Sequence, residues 1–279
     1  MPKFFINLLR LTRPLSNVKN IALVLWAFYL SGEDFNLARV IAGIISLSLI
    51  SSAVYAYNAI SDIKLDKANK NKRQYSEAAQ YFGEKGSLLA AFFLAVLGLA
   101  LGFYINIYFV FSGAFLLLAG FLYSSPRVRF KEKVVLDVLF GAVFTFTARF
   151  AASWFIFSIS APPLLPIIFL ISAKSGGYLL YKECDYPYLS AAGIKNTITA
   201  LGNRTKIVLS AVFFFVSLLS FIFICLNSPR FLFLIPFAVP PVAIIYLSAF
   251  NKLPYKISKL RVLGFAYWII VLIIILSIL

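Results

Sequence analysis

Long apolar stretches alternate with short polar joins along this chain. A helix that crosses a bilayer needs about 20 predominantly apolar residues. Nine stretches read as such spans, near 18–31, 38–60, 87–105, 107–124, 134–157, 161–181, 207–226, 231–250 and 262–279. The joins at 105–107 and 157–162 are tight, so the helices they connect are antiparallel neighbours. Pro162 and Pro163 suit the start of a helix. The opening residues, MPKFFINLLRLT, are too short and too interrupted to span. Phe4, Phe5, Leu8, Leu9 and Leu11, with Lys3 and Arg10, instead predict an interfacial helix within residues 1–13. No small-residue cleavage site follows a compact apolar run, which argues against a removed signal peptide. The pattern predicts an all-α integral membrane protein, with residues 1–279 forming one transmembrane domain.

Composition sharpens that expectation. The 279 residues are 62% hydrophobic and 13% charged, against roughly 25% charged in a soluble domain. Such a chain cannot cover a water-facing surface, which excludes a soluble enzyme, and its hydrophobicity excludes disorder. There is no His, so His-based triads and His-ligated zinc are excluded. Two Cys, Cys184 and Cys225, are too few for a disulfide framework or a four-ligand metal site. The net charge of +16 is not spread evenly. Lys and Arg crowd into 3–19, 64–85, 127–133, 174–206 and 252–261, all on one side of a nine-span chain. Only Arg39 and Arg230 lie toward the other side, and Arg149 sits within a span. The positive-inside rule makes the crowded side cytoplasmic, with the N-terminus on it. The charge therefore describes one face of a cell-membrane protein, and no soluble basic domain exists to bind nucleic acid. Glu33 and Asp34 lie in an outer loop; the other eight acids share the basic side.

Two cytoplasmic segments, 61–86 and 182–206, mix acids with bases. The first follows the second span, which ends SAVYAYNAISDIKLDKANKNKR. If the helix continues, Asn58, Asp62 and Asp66 recur at i, i+4 and i+8 and share one stripe. Carboxylates and amide oxygens are hard ligands that suit Mg²⁺, which binds one or two carboxylates plus phosphate oxygens. Lys64, Lys67, Lys70, Lys72 and Arg73 surround them. A solvated helix end with i,i+4 charge pairs is the plainer account of the same residues. A weaker copy follows the sixth span, YLLYKECDYPYLSAAGIKNTITALG. There Asp185 precedes Lys195 by the step that separates Asp62 from Lys72, with Glu183 beside it and Leu189 where the first copy has Asp66. The copies suggest two pseudo-repeated halves. A third element, YSSPRVRFKEK (123–133), offers the hydroxyls of Tyr123 and Ser124. If it is extended, Arg127, Arg129 and Lys131 share a face. Arg149, a charge inside a span, belongs toward the bundle interior or a polar cavity.

With these residues the chain resembles the UbiA superfamily of intramembrane prenyltransferases. Its first motif, NDxxDxxxD, is matched by Asn58, Asp62 and Asp66, with Ala59 in the second place. Its second motif, DxxxD, is matched by Asp185, with Leu189 in place of the second acid. Residues 191–202 are similar to the stretch after that motif, and Tyr123–Ser124 to a segment after the fourth helix. LRLTRPLSNVKN (9–20) matches through Arg13, Pro14, Lys19 and Asn20.

The resemblance implies nine transmembrane helices around a central cavity, capped by the two Asp-bearing loops. It implies Mg²⁺-dependent transfer of a prenyl group from a prenyl diphosphate to a lipophilic acceptor. Asn58, Asp62, Asp66 and Asp185 would hold Mg²⁺ and the diphosphate; Arg13, Lys19, Lys72, Arg127 and Lys182 would contact the diphosphate. Tyr123 and Ser124 would border the reacting carbon. Given Ala59 and Leu189, either one metal ion suffices or Glu183 substitutes for a missing acid. Aromatic faces stabilise a developing allylic cation, and the chain has 30 Phe, 15 Tyr and 3 Trp. Two other readings stay open. RPLSNVKN (13–20), SSAVYAYN (51–58) and VVLDVLF (134–140) lean toward a polyprenyl-phosphate phosphoribosyltransferase of the same superfamily. A transporter or lipid-binding protein with a decayed site is the other.

Overall fold

The computed structural model describes residues 2–70 and 72–227, and among them there are helices and no strands. Six helices are long and apolar enough to cross a membrane: Leu37–Ser61, Arg73–Phe103, Ile107–Ser124, Leu136–Phe155, Leu164–Lys182 and Asn203–Asn227. They coincide with six of the expected spans. The first expected span is the shorter helix α2 (Val18–Ser31). The expected spans at 231–250 and 262–279, the basic run 252–261 and Arg230 lie outside the described residues.

The described chain forms two compact units. One holds Met1–Lys131 and Ala148–Ser160; the other holds Glu132–Thr147 and the described residues from Ala161 onward. In the first unit, α1 (Pro2–Thr12) leads into a 3₁₀ turn at Pro14–Asn17, and Arg13 between them adopts a left-handed φ of 50°. Helix α2 ends at Gly32, whose φ of 68° lets its N–H return to the Phe28 carbonyl at 3.4 Å. Asn36 caps α3 (Leu37–Ser61) by accepting from the Arg39 N–H at 3.0 Å. The short α4 (Ile63–Ala68) and long α5 (Arg73–Phe103) follow, then α6 (Ile107–Ser124), capped by Asn106, which accepts from the Phe109 N–H at 2.8 Å.

Helix α3 is the axis of this unit, and small residues let its neighbours close in. A methyl group on Gly98 of α5 would stand 3.1 Å from the Ser46 carbonyl and 2.7 Å from Ile50. The Ser46 hydroxyl donates to the Gly98 carbonyl at 2.6 Å across the same contact. The core around it joins Leu47, Ile50, Phe109, Leu116 and Ile156. A second core, of Leu11, Ala56, Ala59, Ala78, Ala79 and Ala91, packs α1 and α5 against the last turns of α3.

The second unit begins with a turn-rich entry to α7 (Leu136–Val138), a π-helical stretch at Leu139–Phe144 and the start of α8 (Thr145–Phe155). Helix α9 (Leu164–Lys182) packs on α12 (Asn203–Asn227). Gly176 fits against the Phe214 ring, and the Ser210 hydroxyl donates to the Gly176 carbonyl at 2.8 Å. Between them lie a 3₁₀ turn at Glu183–Asp185, α10 (Tyr186–Ala191) and α11 (Thr197–Ala200).

Candidate functional site

Helix α3 does not run on through the first acidic segment. It stops at Ser61, and Asp62, with φ −109° and ψ 8°, joins it to α4. The i+4 step nevertheless survives in the backbone. The Asp62 N–H donates to the Asn58 carbonyl at 3.0 Å, and the Asp66 N–H to the Asp62 carbonyl at 2.8 Å. The three oxygen-bearing residues are therefore kept in succession around a broken helix end rather than along one straight stripe.

Each carboxylate is met by cations. Lys131 hydrogen-bonds Asp62 Oδ1, and Arg129 Nη2 lies 3.9 Å from the same oxygen. Arg13 Nη2 lies 4.0 Å from Asp66 Oδ2. The left-handed turn at Arg13 lays its guanidinium over Tyr75, 3.6 Å from the ring centre. Asp66 is buried, and burial pushes its carboxyl up to about 6. Lys72, Arg13 and Lys131 pull against that shift, while the neighbouring charge of Asp62 adds to it.

The segment after α6 is not extended. The N–H groups of Val128 and Arg129 both return to the Ser125 carbonyl, and Phe130–Glu132 forms a 3₁₀ turn. Arg127, Arg129 and Lys131 consequently do not share a face: the turn brings Arg129 and Lys131 to Asp62 and leaves Arg127 exposed. Ser124 is buried and, among the described residues, its Oγ has no hydrogen-bond partner; the buried Oδ1 of Asn58 has none among them either. Tyr123 is half-buried. Lys19 donates to the Tyr55 hydroxyl at 2.5 Å, lower on α3.

In the second unit, Asp185 is buried and its Oδ2 lies 3.4 Å from Lys182 Nζ. Glu183 is taken by a buried Lys206, whose ammonium also stands 4.9 Å from the Tyr186 ring centre. The stretch 191–202 folds into a capped turn. Asn196 accepts from the N–H groups of Ile198 and Thr199, and Thr199 returns the bond to the Asn196 N–H. Thr197 then hydrogen-bonds the fully buried Asp137, and accepts from the Val135 N–H at 2.8 Å.

The two positions where acids are missing from the motifs are core positions. Ala59 is fully buried among Leu11, Ala78 and Ala79, and Leu189 is buried as well. A carboxylate at Ala59 would enter an apolar seam without a partner. Asn58, Asp62 and Asp66 form a hard-oxygen set, and the unpartnered Asn58 Oδ1 fits a divalent ion of the Mg²⁺ kind. Among the described residues, no three Asp, Glu, His or Cys side chains converge as a complete metal cage.

Residue spacing pointed to Asp62, Asp66 and Asp185. The stacking of Arg13 on Tyr75, the Lys206–Glu183 pair and the Asp137–Thr197 bond had no local signal, because each joins residues from separate elements. Lys131 and Arg129 were visible only as a basic run.

These features define a multi-pass membrane protein whose described residues form helices and no strands. The chain belongs to the UbiA prenyltransferase family, whose model matches residues 20–276, and it is a prenyltransferase. It is 29% identical over 258 residues to the lycopene elongase/hydratase of Halobacterium salinarum, covering 85% of this chain and 80% of that protein. Its fold is similar to that of a UbiA homolog from Archaeoglobus fulgidus bound to GPP and Mg²⁺. That likeness has a TM-score of 0.74 and 20% identity, and covers 95% of this chain and 99% of the other. The apo structure of a UbiA homolog from Aeropyrum pernix K1 gives a TM-score of 0.77 at 15% identity, covering 95% of this chain and 98% of the other. The transporter reading is set aside.

Proposed function

We propose that the protein transfers a prenyl group from a prenyl diphosphate to a lipophilic acceptor in a Mg²⁺-dependent reaction. The observation that carries this reading is the Asp62–Asp66 pair at the broken end of α3, with the unpartnered Asn58 Oδ1 beside it. Asn58, Asp62 and Asp66 would hold the metal. Bound Mg²⁺ neutralises diphosphate charge and so improves the leaving group. Arg13, Lys72 and Arg127 would add positive charge to the diphosphate. Lys131 and Arg129 hold Asp62 in place and would share it with a bound ion. The C1–O bond of the donor then breaks, and its electron pair leaves with the diphosphate. Tyr123 and Ser124 border the allylic carbon, the acceptor forms the new bond to it, and a proton departs to diphosphate or water. The apolar bundle keeps water from the cation.

The A. fulgidus homolog bound to GPP and Mg²⁺ supports the donor class and the metal. The similarity to a lycopene elongase/hydratase supports an isoprenoid reaction on a lipophilic acceptor. The test is transfer from labelled geranylgeranyl diphosphate to membrane acceptors by protein in proteoliposomes. Asp62→Ala should lower turnover by about 100-fold or more, and EDTA should abolish it. Full activity in Asp62→Ala would remove the metal assignment. Consumption of phosphoribosyl diphosphate in the presence of polyprenyl phosphate, with no prenyl transfer, would replace the reading altogether.

A further inference from the structure

The second acidic segment meets its cations in a different way from the first. Glu183 is hydrogen-bonded by the ammonium of Lys206, which reaches it from the first turn of α12. Lys206 is 3% exposed, and its Nζ stands 4.9 Å from the centre of the Tyr186 ring. Its backbone is fixed as well, the N–H donating to the Gly202 carbonyl at 3.1 Å. Asp185 Oδ2 lies 3.4 Å from Lys182 Nζ. One turn further on, where another acid would complete the set, Leu189 is buried.

A lysine this deeply buried has no way to turn its ammonium out to water, so the Glu183 carboxylate is the counter-charge that burial demands. A divalent ion on Glu183 would either stand beside that ammonium or push it into the interior without an acid, and both cost free energy. Mg²⁺ takes its protein ligands chiefly from carboxylates, and each carboxylate of this turn faces a lysine. Asp62 is also met by a lysine, Lys131. The first segment, however, adds Asp66, whose carboxyl feels the charge of Asp62, and an Asn58 Oδ1 with no hydrogen-bond partner among the described residues. The second segment has Leu189 in place of such a further oxygen ligand.

We propose that the second acidic segment holds no metal ion, that the Lys206 ammonium takes the place of one on Glu183, and that the protein works with a single Mg²⁺ at Asn58, Asp62 and Asp66. This rests on the Mg²⁺-dependent reading and narrows it: one ion suffices, and Glu183 does not substitute for the acids missing from the motifs. Lys206 is a positioning residue. It supplies a fixed positive charge that needs no ion from solution, and it ties the 3₁₀ turn Glu183–Asp185 to α12.

The test counts bound Mn²⁺, a paramagnetic stand-in for Mg²⁺, by EPR. The full-length protein is held in zwitterionic nanodiscs with a non-hydrolysable prenyl thiodiphosphate, and empty nanodiscs with the same ligand are the reference. The expected count is one ion per chain. Asp62→Asn should weaken its binding about tenfold or more, whereas Glu183→Gln should leave it within about twofold. Lys206→Met removes the ammonium at similar side-chain length and should admit a second ion, which the double variant Lys206→Met/Glu183→Gln loses again. Two ions in the unmodified protein, a larger weakening by Glu183→Gln, or a folded Lys206→Met that still binds one ion would each overturn the proposal. Glu183→Gln keeps a hydrogen-bond acceptor for Lys206, so it decides the matter even where Lys206→Met fails to fold. No bound Mn²⁺ in the unmodified protein would overturn the Mg²⁺-dependent reading itself, and this proposal with it.

Discussion

Asp66 sits under tension. It is buried next to Asp62, and burial holds its carboxyl at about 6 instead of the usual range near 4. The proton on a group raised in this way stabilises the fold fully below the unfolded value, and that contribution is lost as pH rises through about 6. Above pH 6 the metal-free protein therefore carries a buried, destabilising charge. Asp66→Asn should raise the melting temperature of the metal-free protein at pH 8 and change it little at pH 4; an equal change at both would show that burial is not the cause. The same substitution should lower prenyl transfer, because it removes a hard ligand from the proposed metal site. At this scale the spacing 58, 62, 66 was readable from the chain. The partners were not: Lys131 and Arg13 come to these acids from elsewhere in the first unit, through a turn and a left-handed residue that no local pattern announces.

Among the elements, apolar length determined the helices and small residues determined how they meet. Spans at 38–60, 107–124, 161–181 and 207–226 are found within a few residues of where hydrophobicity placed them. The close approach of α5 to α3 depends on Gly98, where an added Cβ would press on backbone atoms of α3. Gly98→Ala should destabilise by about 1–3 kcal/mol. Gly177, also helical, has open space around its Cβ position. Gly177→Ala should be neutral or stabilising by up to about 1 kcal/mol. Unfolding of both variants in detergent checks the pair, and equal effects would contradict this packing. The break at Asp62 was not foreseen, since neither Gly nor Pro marks it. Removal of the Asn196 cap belongs to the same scale. Asn196→Ala should cost about 1 kcal/mol and weaken transfer through the second acidic segment, read as a raised KM for the diphosphate.

For the whole molecule, the asymmetry of Lys and Arg sets an expected orientation. Lys70 and Glu33 are both exposed and lie on opposite sides of that scheme. With Cys184 and Cys225 replaced by Ser, Lys70→Cys should react with a membrane-impermeant thiol reagent only in inside-out vesicles. Glu33→Cys should react only from the outside, and the reverse pattern would invert the topology. The sequence by itself determined that this is a membrane protein of apolar helices, roughly where its described helices run and which carboxylates stand at helix ends. Those follow from periodicity, length and local spacing, which are properties of neighbours in the chain. Tertiary structure decided which cation meets which acid, why positions 59 and 189 are apolar, and that Arg149 is held by Asn20 and Ser51. Those depend on what burial brings together from distant segments, and burial is a property of the packed bundle that no short stretch of sequence contains.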